Sequence, residues 1–207
     1  MTDQDHDDHS DVPDAIALRA KALQSLLVEK GLVEQPALDR LADEMEHNVG
    51  PHLGARAIAK AWVDDDFREQ LLADARAAVE SIGIGGWRHG ARLVAVANGP
   101  GVHNVVVCTL CSCYPMPLLG PPPVWYKSAP YRSRTVIDPH GVLAEFGTLL
   151  PEGTEVRIWD STAETRYLVV PERPDGTQGW SDERLAELVT RNSMIGVEPA
   201  KSPETAE

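Results

Sequence analysis

Basic residues are scarce in this chain: 19 Lys and Arg stand against 32 Asp and Glu, a formal net charge of −13. A surface of that sign repels phosphate backbones and anionic headgroups, which argues against nucleic acid and membrane surfaces as partners. No run of about 18 apolar residues occurs, and no basic segment leads into an apolar stretch near Met1. Neither spanning nor export is therefore expected, and the chain reads as cytoplasmic. Aromatic residues are few, at 5%. Cysteine is absent except for Cys108, Cys111 and Cys113. A disulfide framework would spread its bridges to close long loops, so this tight, odd-numbered cluster needs a local explanation.

The 207 residues, 43% of them hydrophobic and 25% charged, suit one soluble domain with an appendage. Residues 1–14 carry six Asp and no Lys or Arg, and they read as a disordered acidic tail in which His6 and His9 are solvated. Apolar spacing predicts a helix from Asp14 to Lys30 with Gly31 as its stop, a second from Pro36 to Gly50 and a third from His52 to Trp62. Asp64-Asp65-Asp66 starts a fourth, running through Phe67, Leu71 and Val79 to Gly83. With only Trp62 and Phe67 as aromatics, residues 15–85 read as a helical arm laid against another chain.

After Gly83-Ile84-Gly85-Gly86 the pattern turns to extended runs at Leu93 to Val96 and Val102 to Val107, the latter feeding directly into Cys108. Glu155 to Trp159 and Thr165 to Val170 read as a hairpin with a longer loop. A last helix is capped by Ser181 and ends near Thr190. The expected fold class is α+β: the arm, then a mixed α/β layered domain over 86–197 carrying a cysteine loop, then a flexible tail over 198–207.

Cys-x-x-Cys serves zinc and dithiol sites alike. Structural zinc wants a fourth ligand, and His103 and His140 flank the motif only singly. A thioredoxin-like pair has no use for Cys113, and Tyr114-Pro115-Met116-Pro117 starts no helix that would acidify a thiol. An ion bound by the sulfurs of Cys111 and Cys113 would, by contrast, sit beside the amide nitrogens of Ser112 and Cys113. Closing the ring through the Cys113 sulfur and nitrogen gives a small chelate, and the two neighbouring nitrogens give another. Two sulfurs and two nitrogens then share a plane, Cys108 supplies a sulfur below it, and the position above stays open. Amide nitrogens bind only when deprotonated and thiolates favour softer transition metals, which points to trivalent low-spin cobalt or iron. Such an ion polarises a ligand or acidifies water, so hydration or hydrolysis follows. Thiolates in an open site can also oxidise to sulfenate or sulfinate.

The string Val107-Cys108-Thr109-Leu110-Cys111-Ser112-Cys113-Tyr114-Pro115 resembles the metal-binding signature of the nitrile hydratase α subunit. Val49 to Ala55, Leu119 to Lys127, Trp159-Asp160-Ser161, Arg173 to Trp180 and Ser193 to Val197 extend the likeness over about residues 15–200. The resemblance implies a non-corrin cobalt or iron centre on three cysteine sulfurs and the main-chain nitrogens of Ser112 and Cys113, with Cys111 sulfinic and Cys113 sulfenic. Thr109 with Tyr114 matches the cobalt type. It also implies hydration of a nitrile to an amide, with Cys113 and Ser112 serving the chemistry, a β subunit in a heterodimer or its dimer, and a small cobalt-delivering activator protein.

Met116 stands where that family commonly has tryptophan, and Arg88 where it has glutamine; both are expected near the substrate. A flexible Met there either opens room for a bulkier nitrile or fills core space. Arg88 reads as a subunit contact, Trp125, Tyr126 and Trp159 as core or interface aromatics, and the run from Pro115 to Pro123 as a stiff wall. Ser112 offers a hydroxyl to an oxidised sulfur, or is there because it is small. Two other functions remain in view: thiocyanate hydrolysis on the same centre, and metal binding without turnover.

Overall fold

The computed structural model describes residues 15–86 and 90–205, and the chain divides into two compact units between Glu44 and Met45. The acidic tail over 1–14 and Arg88 lie outside the described residues.

The first unit holds α1 (Ala15–Glu29) and most of α2 (Gln35–His47). Gly31, at φ 67°, ends α1 as its position in the sequence predicts. Neither helix has a buried residue, and Ile16 and Leu23 remain 71% and 62% exposed.

In the second unit, α3 (Pro51–Val63) buries eight residues, from Leu53 to Trp62. This helix and the two that follow contribute buried residues to the main core. Asp64 accepts the Phe67 N–H at 2.9 Å and starts α4 (Asp65–Ala73). One continuous helix to Gly83 does not form. Asp74 leaves helical geometry and accepts the Ala77 N–H at 3.1 Å, which begins α5 (Ala75–Ser81).

Strands β1 (Arg92–Ala97) and β2 (Val102–Val107) follow, then the cysteine loop, then α6 (Met116–Leu119), α7 (Val124–Lys127), α8 (Ala129–Ile137) and α9 (Pro139–Glu145). Next come β3 (Glu155–Asp160), β4 (Thr165–Val170), α10 (Asp182–Ala186) and α11 (Arg191–Ile195). The architecture is α+β, as the sequence predicts. The hairpin expected for β3 and β4 is absent: β4 pairs in parallel with β1, and β3 in parallel with β2. Val105 to Val107 and Leu168 to Val170 are all buried, and continuous apolar runs of that kind belong to parallel sheets covered on both faces.

Asn104 joins the two sheets. Its amide donates to the Ala97 carbonyl at 2.8 Å, and its oxygen accepts Trp159 Nε1–H at 2.8 Å. Two glycines are demanded by close approach. A Cβ on Gly54 would lie 2.6 Å from the Leu118 carbonyl oxygen, and one on Gly196, at φ 89°, would lie 1.9 Å from that of Asn104. The helix expected from Ser181 to near Thr190 stops early, at Ala186, and a separate α11 follows it where Thr190 and Ser193 form a capping box. Beyond Val197 the chain is still tied, with Lys201 N–H on the Leu188 carbonyl at 2.8 Å.

Candidate metal centre

The cysteine loop leaves the carboxyl end of β2, where open α/β sheets place their ligands. Cys108 is fully buried, Cys113 partly buried and Cys111 exposed. The three sulfurs lie within 4.8 Å of one another, with Cys108 to Cys111 at 3.5 Å and Cys111 to Cys113 at 3.3 Å. Metal–sulfur bonds of about 2.3 Å meeting at right angles would separate neighbouring sulfurs by about 3.3 Å, against about 3.8 Å in a tetrahedron. The Cys111–Cys113 spacing matches the right-angled value, and the Cys108–Cys111 spacing falls between the two. Among the described residues no His, Asp or Glu joins the cluster, and an all-sulfur set suits a transition metal rather than magnesium or calcium.

Titration separates the thiols. Hydrogen bonds from the Cys113 and Cys108 thiols and the Ser112 amide hold Cys111 below its ordinary value. Burial, then the hydrogen bond with Cys111, pushes Cys113 up, against the opposing charge of Arg166. Cys111 N–H points at Cys108 Sγ, 3.3 Å away, whereas the amides of Ser112 and Cys113 donate to no oxygen among the described residues.

The loop belongs to neither a helix nor a strand, so side chains from elsewhere hold it. Parallel register sets Asp160, the last residue of β3, opposite Val107, and its carboxylate then reaches Thr109: Oδ1 accepts the backbone N–H at 3.0 Å and Oδ2 the hydroxyl at 2.6 Å. Arg132 on α8 donates to the Leu110 carbonyl at 3.1 Å, while its Nε is buried without a partner. Tyr126 on α7 donates to the Cys113 carbonyl at 2.9 Å. Burial pushes its phenol far up, which keeps it a donor.

Met116 begins α6 just after the loop and is 42% exposed; Leu110 is 84% exposed. His103 stands apart from the sulfurs, donating from Nε2 to the Gly196 carbonyl at 2.7 Å, and takes no part in a zinc set. Tyr114 is buried, with its hydroxyl 3.4 Å from the Leu119 carbonyl.

A family model described as nitrile hydratase, alpha chain, matches residues 14–198. The chain belongs to this family. It is 52% identical over 191 residues to the low-molecular-weight cobalt-containing nitrile hydratase subunit alpha of Rhodococcus rhodochrous, covering 92% of each chain. It is 42% identical over 186 residues to the thiocyanate hydrolase subunit gamma of Thiobacillus thioparus, covering 85% of this chain and 76% of that one. Among solved structures, a variant of the Fe-type nitrile hydratase from Comamonas testosteroni superposes with a TM-score of 0.80 at 41% identity, covering 93% of this chain and 94% of the other.

Within this nitrile hydratase family member, sequence reasoning located the three cysteines and missed the three tethers. Asp160 lay inside a quoted motif without a role, Tyr126 was read only as a core or interface aromatic, and Arg132 had no signal. For Asp160 the missing signal was strand register. For the other two it was the packing of α7 and α8 against the loop.

Proposed function

We propose that this chain is the metal-bearing α subunit of a nitrile hydratase, converting a nitrile to its amide at a non-corrin cobalt(III) centre. The observation that carries this is the cluster of three thiols within 4.8 Å of one another on one strand-end loop, in a chain 52% identical to a cobalt-containing α subunit. Cys108, Cys111 and Cys113 would hold the ion through sulfur, and Ser112 and Cys113 through their main-chain nitrogens. When bound, the ion supplies Lewis acidity that polarises the nitrile and lowers the pKa of water.

The chain's own residues do the rest. Cys111 as sulfinate and Cys113 as sulfenate present oxygen acceptors at the mouth of the loop. The Cys113 oxygen serves the addition, as nucleophile or as the base that takes the proton of the adding water. Ser112 offers its hydroxyl to the oxidised sulfurs and orients them. Met116 and the exposed Leu110 provide an apolar wall for the nitrile substituent, with Arg88 as a second contact at the pocket or the subunit boundary.

A β subunit completes the enzyme, as a heterodimer or its dimer. The unburied apolar residues of α1, Ile16, Leu23 and Leu26, are the face it covers. A small activator protein delivers the cobalt. Among the described residues no helix is long and apolar enough to cross a membrane, and the site of action we infer is the cytoplasm.

Elemental analysis of the co-expressed complex, with mass spectrometry of residues 105–115, tests the centre: cobalt near one per chain and oxygen added to two cysteines are expected. Zinc in place of cobalt would defeat the assignment. The likeness to a thiocyanate hydrolase subunit supports a second reading, and turnover of thiocyanate without amide formation from organic nitriles would favour it. Cobalt and partner both present with neither substrate consumed would leave a binding module.

A further inference from the structure

The tethers on the cysteine loop are unevenly placed. Its front half is held from two sides, by Asp160 on Thr109 and by Arg132 on the Leu110 carbonyl. Its back half, which carries Cys111, Ser112 and Cys113, receives one side-chain hydrogen bond from outside the loop among the described residues: Tyr126 O–H on the Cys113 carbonyl. No ladder substitutes for it, and Pro115, two residues on, has no N–H with which to anchor the chain.

Tyr126 is well placed to impose a position. It is fully buried, and Tyr114, Tyr131 and Trp125 surround its ring at centroid distances of 5.0, 5.6 and 6.0 Å. A ring so confined has little freedom to follow the loop, so the loop must follow the ring. The Cys113 carbonyl lies in the plane of the peptide to Tyr114, and fixing that plane sets ψ of Cys113. Cys113 is also the residue asked to offer two donor atoms, sulfur and nitrogen, on one side of its backbone.

We propose that Tyr126 is a positioning residue of the metal loop, its hydroxyl locking the Cys113 carbonyl so that the Cys113 sulfur and nitrogen face the ion together. This rests on the reading of Cys113 as a ligand. Tyr131 supplies a matched comparison. It belongs to the same aromatic group and donates its own buried hydroxyl to a backbone carbonyl, that of Val106 at 2.7 Å, on β2 rather than on the loop.

The test compares Tyr126→Phe with Tyr131→Phe. Each loses one buried hydroxyl-to-carbonyl bond, so both should melt about 2–4 °C below wild type. In the metal-free full chain, amide hydrogen exchange over residues 108–114 should quicken about five- to tenfold in Tyr126→Phe and stay unchanged in Tyr131→Phe. In the cobalt-loaded complex, Tyr126→Phe should shift the sulfur-to-cobalt charge-transfer absorption and lose cobalt to a chelator about tenfold faster, with Tyr131→Phe matching wild type. Equal exchange in the two variants, or an unmoved absorption and chelator rate in a loaded Tyr126→Phe complex, would overturn this proposal alone. A wild-type complex devoid of cobalt would overturn the metal-centre reading and this proposal with it.

Discussion

Asp160 holds Thr109 with both carboxylate oxygens, at 3.0 Å from the backbone N–H and 2.6 Å from the hydroxyl, across a sequence separation of 51 residues. The two meet because β2 and β3 run parallel with Val107 opposite Asp160, so both strands deliver their last residues to the same edge. Thr109 directly follows the buried Cys108, and the pair fixes the direction in which the loop leaves the sheet.

Asp160→Ala should therefore harm the centre more than the fold. Removing the carboxylate frees the Thr109 N–H at a partly exposed site, a loss of about 1 kcal/mol in global stability. Cobalt content of the purified complex should fall at least about tenfold, as with other groups that orient metal ligands. Urea denaturation beside elemental analysis checks both halves. A cobalt content equal to wild type would show that Thr109 is placed without Asp160.

Cys108→Ser should abolish metal retention. The buried sulfur would give way to a hard hydroxyl, a poor ligand for a transition metal that the other sulfurs select. Cobalt per chain, measured after dialysis against a chelator, should drop to the background of a metal-free preparation. Full cobalt with full activity would refute its role as a metal ligand.

Stability should fall on mild acidification through His103. Its buried ring donates to Gly196 and faces the Asn98 amide at 3.3 Å, with Glu172 and His140 as the nearby charges; burial is the largest cause of its lowered pKa. With the folded pKa below the unfolded value of 6.5, the unfolded chain takes the proton first. The contribution is complete above that value and is lost as pH falls towards the folded pKa, at a slope of up to about 1.4 kcal/mol per pH unit. Urea midpoints for wild type and His103→Gln at pH 7.5 and 5.5 should converge on acidification. Parallel slopes would show that other groups govern the acid response.

Gly196→Ala should unfold much of the second unit. The added Cβ meets the Asn104 carbonyl oxygen at 1.9 Å, and φ 89° is itself unfavourable with a side chain, so a loss of about 3 kcal/mol or more is expected. Thermal melting checks this. A wild-type Tm would mean that α11 can slide away from β2 at no cost.

The cysteine cluster was legible because it is local. Three cysteines within six positions of one another need nothing distant to be seen as neighbours. Helix starts at Asp64 and Ser181 were legible for the same reason, since a cap acts within three residues. The break at Asp74 was not, because a mid-pattern Asp reads equally as a solvated helix residue until its side chain is seen on the Ala77 N–H.

The sequence by itself determined the cysteine cluster, the α+β class and the strand that leads into Cys108. Tertiary structure alone decided that β3 and β4 part company and run parallel to β2 and β1, that α3 to α5 join the core, and that Asp160, Arg132 and Tyr126 converge on one loop. The division has a single physical cause. Apolar period and capping act over a few neighbours, whereas strand partner and loop tether depend on which buried surfaces fit together, and no local pattern encodes that fit.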